Sequence, residues 1–295
     1  MTSGGGQSRP GPGAGELRDE AKRRVYEFWN EASCGEALLL SGTDAEAYAA
    51  QRRERYRLEP FIPAFANFGH WSGARVLEIG VGLGADHESF AAAKAELYGI
   101  DLTERAIEHT RARLAQAGLR STLAVADAEA LPFPDRHFDL VYSWGVLHHS
   151  PSPERALDEV WRVLRPGGTA KLMLYHSPSV VGFMLWARYG LLRAQPWRPL
   201  RAIYAEHLES PGTRAFSVEQ ARALCSKFES VLVTPVLTHA DLLSSEVGQR
   251  HRGALLAVAR RLWPRRVIRR WFSEHGAFLL ITATKAPGMK PAFPA

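Results

Sequence analysis

The period of the apolar positions changes along the chain. From residue 16 to about residue 68, aromatic and aliphatic residues recur at three- and four-residue steps with charges between them, as in AKRRVYEFWN and AEAYAAQRRERYRLEPFI. That spacing predicts amphipathic helices. From residue 74 onward, short apolar runs of strand length take over: ARVLEIG, AELYGID, STLAVAD, FDLVYSWGVL and TAKLMLYH. Helical patterns separate them. These are ADHESFAAAK, then TERAIEHTRARLAQAG with Thr103 as cap and Gly118 as stop, then SPERALDEVWRVLRPGG with Pro and Gly stops. The rhythm breaks after Tyr175 and resumes with a helix, SVEQARALCSKF, and a strand, ESVLVTPVL. It breaks again before a last strand, AFLLITATK.

Strands alternating with helices predict an α/β fold: a doubly wound, mostly parallel sheet of seven strands covered by helices on both faces. Residues 1–15 read as a Gly-, Pro- and Ser-rich disordered tail, 16–68 as a helical lid, 69–285 as the ligand-binding domain and 286–295 as a second tail. The two breaks, 177–212 and 238–276, read as insertions after the fifth and sixth strands. Variable insertions on a common scaffold are where substrate choice is expected.

Composition adds bounds. The chain has 295 residues, 46% of them hydrophobic, enough for a sizeable core. Cys34 and Cys225 are far apart without a CxxC spacing, so neither a disulfide framework nor a zinc site is expected, and a reducing cytoplasm fits. No run reaches the roughly 18 apolar residues of a membrane span; Val180 to Leu192 comes nearest, and Arg188 interrupts it. A net charge of +6 permits acidic partners without requiring them. Much of it lies in a basic segment, 249–272, with Arg250, Arg252, Arg260, Arg261, Arg265, Arg266, Arg269 and Arg270 among Leu, Val, Trp and Phe. A solvated helix face is the preferred reading of that run, ahead of an anionic membrane, an acidic substrate or nucleic acid.

The chemistry concentrates at EIGVGLGAD, Glu78 to Asp86. Gly80, Gly82 and Ala85 satisfy the loose dinucleotide pattern GxGxxG/A. Glu78 argues against a pyrophosphate there, because a carboxylate beside it would repel it, whereas a cation would be welcome. Asp101, ending the second strand, can bond both hydroxyls of a ribose. Asp127, ending the third, can accept from an exocyclic amine. The three acids describe a nucleoside with a cationic tail and no phosphates.

With VLEIGVGLG, YGIDLT, VADAEALPFPDRHFDLVYSWGVLHH and EVWRVLRPGG in that order, residues 74–175 resemble the class I S-adenosylmethionine-dependent methyltransferases. The resemblance implies a Rossmann-like methyltransferase fold and S-adenosyl-L-methionine as cofactor. It places Gly80, Gly82 and Gly84 against the methionine part, Asp101 with Leu102 at the ribose, and Asp127 with Ala128 at the adenine. Glu78 is expected to orient the turn and its amides, and Ser143, Trp144 and Gly145 to border the cofactor.

Methyl transfer from a sulfonium needs mainly positioning, plus a base where the acceptor carries a proton. Candidate bases near the ends of the fourth and fifth strands are His148, His176, His207 and Glu209. No metal is expected, since the His148–His149 pair has no third ligand in reach of the sequence. Tyr26, Phe28, Trp29, Tyr48 and Tyr56 are candidates to close over the ligands, with core packing as the alternative. The expected acceptor is a small molecule of specialised metabolism, apolar or partly so, methylated on O, N or C, and self-association is left open. Nucleic acid is disfavoured, because SWGVLHHSP replaces the N/D-P-P-Y/F segment of base amino methyltransferases. An RNA-directed enzyme and a catalytically silent binding protein are the alternatives.

Overall fold

Residues 74–144 carry apolar side chains that can be buried from both sides, and this turns short runs into central strands. The computed structural model describes residues 20–210, 212–245 and 260–288. The tail expected over 1–15, part of the second tail, and Arg250 and Arg252 lie outside the described residues. The strands are β1 Arg75–Ile79, β2 Glu96–Asp101, β3 Thr122–Val125, β4 Phe138–Trp144, β5 Leu164–Tyr175, β6 Ser230–Val236 and β7 Phe278–Thr284. They form one seven-stranded sheet in the order β3-β2-β1-β4-β5-β7-β6. Strands β1 to β5 pair in parallel, and β7 runs antiparallel between β5 and β6. The order reverses between β1 and β4, so a crevice opens beyond their carboxyl ends.

Helices α5 Ala85–Ala92, α6 Glu104–Gln116 and α7 Pro153–Val163 connect these strands. The Thr103 hydroxyl accepts from the Ala106 amide and caps α6, and Gly118 closes it at φ +66°. Ala156, Leu157, Val160 and Val163 of α7 are buried with Leu77, Val141 and Leu172 on one face of the sheet. The sequence pattern extends α7 through RPGG, but the helix stops at Val163, and Leu164 to Gly168 open β5 instead. The pairing register with β4 shifts between Phe138 and Leu140, and the two glycines fit that irregular start.

The N-terminal helices are α1 Glu20–Glu31, α2 Glu36–Leu39, α3 Ala45–Leu58 and α4 Ile62–Ala66. Ile62 and Ala66 of α4 join Val76, Phe90, Leu140 and Tyr142 in the core of the opposite sheet face. The segment after β5 forms α8 Val180–Tyr189 and α9 Leu200–His207, which pack through Leu185, Ile203 and Tyr204. Helix α10 Val218–Leu224 precedes β6, and α11 Arg265–Trp271 precedes β7. Among the described residues no helix is long and apolar enough to cross a membrane.

Candidate active site

The glycine turn follows β1 directly, and its geometry leaves no room for a side chain at Gly80 or Gly84. Gly80 sits at φ +81°, and a Cβ there would stand 2.0 Å from Val146 Cγ2. Gly84 sits at φ +75°, and its Cβ would meet Thr110 Oγ1 at 2.8 Å. The backbone, not side chains, therefore forms this wall.

Register brings the first acid to it. Ile79 lies opposite Ile100, so Asp101 stands beside the turn. Its Oδ2 accepts from the Gly82 amide at 3.1 Å, and its Oδ1 accepts from the Thr103 amide at 3.0 Å and hydroxyl at 2.9 Å. Burial raises its pKa, opposed by these hydrogen bonds. Glu78 takes a different place from the expected one. Its carboxyl meets His87 Nδ1 at 2.9 Å rather than the turn amides, and His87 Nε2 meets Ser121 Oγ at 2.7 Å. Burial, with Asp86 nearby, pushes the Glu78 pKa up, and burial depresses that of His87 to about 3. Glu78 is thus a buried strut under the turn, and Asp101 is the acid that orders a turn amide.

Glu78, Gly80, Gly82, Gly84, Asp101, Leu102, Asp127, Ala128 and Trp144 all line one cavity of about 1020 Å³. Asp127 is already engaged: Lys22 Nζ of α1 donates to its Oδ2 at 2.6 Å, and the Glu129 amide to its Oδ1 at 2.9 Å. Gly145 lines the cavity beside Trp144, while the Ser143 hydroxyl turns away to the Ile79 carbonyl at 3.1 Å.

Two arginine centres absent from the sequence reading hold the N-terminal helices to this wall. Arg55 of α3 grips Asp86 of α5 through Nε at 3.2 Å and Nη2 at 2.8 Å. The Tyr56 and Tyr142 hydroxyls donate to the same carboxylate at 3.1 and 2.9 Å. Arg113 of α6 is fully buried; it donates to Glu88, to the Gln51 side chain and to the Leu83 and Tyr48 carbonyls. The five aromatics divide accordingly. Phe28 and Trp29 line the cavity, whereas Tyr48 packs beneath Arg113, Tyr56 joins the Asp86 centre and Tyr26 bonds Glu104. Paired arginines look like surface charge in a linear sequence, which is why they carried no signal there.

Of the four candidate bases only Glu209 lines the cavity. Tyr175 donates to its Oε2 at 2.5 Å, His149 Nε2 lies 3.3 Å away, and Cys34 Sγ lies 3.8 Å from its Oε1. Burial raises its pKa, but His149, Tyr175 and Cys34 outweigh this and hold it below the usual range. His149, not His148, faces the cavity, with its Nδ1 against Ser210 and Thr213 at 2.8 and 3.1 Å. His148 is buried against the Tyr175 ring, and burial drives its pKa far down. His176 bonds the Gly276 carbonyl at 2.8 Å, off the cavity, and His207 stacks on Tyr189 at 3.8 Å. None of these three histidines lines the cavity, which residue spacing does not reveal.

Two further features emerge only in three dimensions. Glu59, at the end of α3, lines the cavity, and burial pushes its pKa up to about 7, with Arg55 opposing. The histidine pair does have a third group: ligand atoms of His148, His149 and Glu209 all lie within 4.8 Å of one another. They could hold a divalent ion after inward shifts, although the Tyr175 and His149 contacts already engage Glu209.

Residues 77–172 match the family model of a methyltransferase domain. Over 142 residues the chain is 35% identical to an uncharacterized protein of Mycobacterium tuberculosis, covering 48% of this chain and 49% of that protein. Over 99 residues it is 40% identical to the ubiquinone/menaquinone biosynthesis C-methyltransferase of Bordetella avium, covering 32% and 39% of the two. The chain thus spans about half the length, or less, of these curated relatives. The crystal structure of a putative methyltransferase from Bacillus halodurans has the same fold, with a TM-score of 0.51 at 19% identity over 76% of this chain and 97% of that one. Residues 77–172 are thus similar to a methyltransferase domain, in keeping with the resemblance of the sequence motifs to S-adenosylmethionine-dependent methyltransferases.

Proposed function

We propose that this protein transfers a methyl group from S-adenosylmethionine to a small, largely apolar acceptor. One observation carries the reading: a turn that admits no Cβ at Gly80, the Asp101 carboxylate and the Asp127 carboxylate converge on the wall of one cavity. The residues fit the donor. Asp101 would hold the ribose hydroxyls, Asp127 with Lys22 beside it would meet the adenine edge, and the Gly80–Gly84 backbone would lie against the methionine part. The bound donor supplies an already activated methyl on a sulfonium.

The rest of the cavity is left for the acceptor, and about 1020 Å³ exceeds what one drug-sized ligand of roughly 300 to 1000 Å³ needs. Its walls are apolar: Phe28, Trp29, Leu38, Met173, Val181 and Met184. Helix α1 and the 177–212 insertion act as a lid that keeps water out. Polar groups are few there, which suits a proton transfer at a defined point. Glu59 is the best placed base, since a carboxylate titrating near 7 can accept a proton and release it at neutral pH. Glu209, held ionised by His149 and Tyr175, would steady positive charge on the acceptor. An aromatic acceptor of the quinol kind, as the name of the Bordetella relative suggests, matches both the apolar walls and the need for a base.

Calorimetry with S-adenosylhomocysteine tests the core of the reading. The wild-type chain should bind it, and Asp101→Ala should weaken binding by about 1.5–3 kcal/mol. Absent binding, or affinity untouched by Asp101→Ala, would sink the assignment.

A further inference from the structure

Large hydrophobic side chains that stay exposed are unevenly distributed. Nine stand out among the described residues: Phe183, Leu191, Leu192, Trp197, Leu232, Leu262, Val267, Trp271 and Phe272. All but Leu232 belong to the two insertions. Leu192 is 70% exposed, Trp197 and Leu262 76% each, and Trp271 72%. Scattered single residues of this kind mean little, but eight gathered on two neighbouring insertions do.

The insertions are neighbours in space. Val180 of α8 and Ile268 of α11 share one buried cluster with Leu242, packed by Met184 and Trp263. Both contribute to the cavity wall: Phe183, Arg188 and Leu192 of the first and Arg260 and Phe272 of the second are part of its lining. Phe183, Leu192 and Phe272 are also solvent-exposed, so these apolar side chains take part in both the cavity wall and the outer surface.

Arginines crowd one stretch of each insertion, although the insertions as wholes also carry Glu206, Glu209, Asp241, Glu246 and Glu274. Residues 180–205 hold Arg188, Arg193, Arg198 and Arg201 and no Asp or Glu. Residues 260–272 hold Arg260, Arg261, Arg265, Arg266, Arg269 and Arg270, again without an acid. Arg198 pairs with Glu206 just beyond the first stretch, Arg188 and Arg193 stand over the Tyr189 ring, and Arg270 stands over Trp271. Arg265 is spent on structure, donating to the Leu242, Leu243 and Arg260 carbonyls. The remaining arginines alternate with Leu, Trp and Phe, the composition of a surface that lies at a lipid interface, with apolar groups in the acyl boundary and cations at the headgroups.

We propose that residues 180–205 of the first insertion and 260–272 of the second seat the protein on an anionic membrane surface, with the cavity facing the lipid. Resting on the methyl-transfer reading, this makes the acceptor a membrane-dissolved molecule that enters from the bilayer. A second copy of the chain suits the face poorly, because it would set arginines against arginines. Nucleic acid would use the arginines but leave Leu191, Leu192 and Leu262 unexplained.

Co-sedimentation of the full chain with vesicles tests this. The chain should pellet with phosphatidylcholine–phosphatidylglycerol vesicles and far less with phosphatidylcholine alone, and salt should weaken the binding. Trp197→Ala with Trp271→Ala should lower partitioning roughly tenfold or more, as should Arg266→Glu with Arg269→Glu. These side chains are exposed, and S-adenosylhomocysteine affinity of each variant reports that the fold and donor site are intact. No pelleting with anionic vesicles overturns the proposal. So does pelleting that ignores the tryptophans, or an RNA affinity that competes the vesicles away and is equally indifferent to them. Intact donor affinity in any of those outcomes would leave the methyl-transfer reading standing. Loss of donor affinity in the wild-type chain would remove that reading and not the membrane surface.

Discussion

Glu59 is the residue whose behaviour follows most directly from its surroundings. Burial in an apolar cavity moves it from the ordinary 4.5 to about 7, against the pull of Arg55. If it is the base, turnover should climb with pH and level off above about 7. Glu59→Gln should then lower turnover roughly 100-fold while donor affinity stays. An unchanged rate would shift the role to Glu209, and Glu209→Gln under the same assay would show it. The same shift has a sign for stability. The folded chain keeps a proton that the unfolded chain releases between pH 4.5 and about 7, so this contribution is full below 4.5 and is lost as pH rises through 7. Denaturant titrations of Glu59→Gln should show a flatter slope over that window than wild type. Gly80 offers a purely steric test. Gly80→Ala puts a methyl 2.0 Å from Val146 Cγ2 at a positive φ and should cost about 1–3 kcal/mol. Adding Val146→Ala should recover part of the loss seen in thermal melts, the part due to crowding and not to φ.

At the scale of elements, α3 is fixed more firmly than a lid hinged over a cleft. Its Arg55 supplies the cation for Asp86, and its Gln51 and Tyr48 carbonyl oxygen satisfy the buried Arg113. From sequence alone, a truncation near Pro60 is expected to leave a soluble fold with poor donor affinity. These bonds alter that expectation: the truncation strips partners from a buried carboxylate and a buried guanidinium at once. It should unfold or aggregate, and Arg113→Ala alone should cost about 3–5 kcal/mol in chemical denaturation. A truncated chain that keeps a cooperative transition near that of wild type would contradict this. Helix α1 differs. It meets the Rossmann-like core through Lys22 to Asp127 and Glu129, Tyr26 to Glu104 and Asn30 to the Arg105 amide, contacts of partly exposed groups, so it is the better candidate for a moving cover. Legibility follows the same division. The strands and Thr103-capped α6 were readable because burial on two faces and a capping residue are local signals. The end of α7 was not, because Leu164 to Gly168 are drawn into β5 by pairing with a neighbour far along the chain.

For the whole molecule, donor binding should be visible as stability. At about 100 times its Kd, S-adenosylhomocysteine should raise unfolding free energy by roughly 2.7 kcal/mol if it binds only the folded chain. A thermal midpoint unmoved at saturating ligand would argue that the cavity does not bind it. The order of glycines and strand-end acids carried the methyltransferase resemblance and marked one wall of the cavity without any coordinates, because each of those residues sits on a backbone turn or strand end that local sequence specifies. Gly80, Asp101 and Asp127 are local in that sense. The arrangement around Glu209 and Glu59 was decided only by tertiary structure. Glu209 reaches His149 and Tyr175 across long stretches of chain, Glu59 titrates near 7 only because other elements bury it, and His148 and His176 are turned into the core by the same packing. The two insertions are brought together for the same reason: Val180 and Ile268, distant in sequence, meet in a single buried cluster. A linear pattern records what each residue prefers to bury, and contacts between distant segments decide which residues face one another.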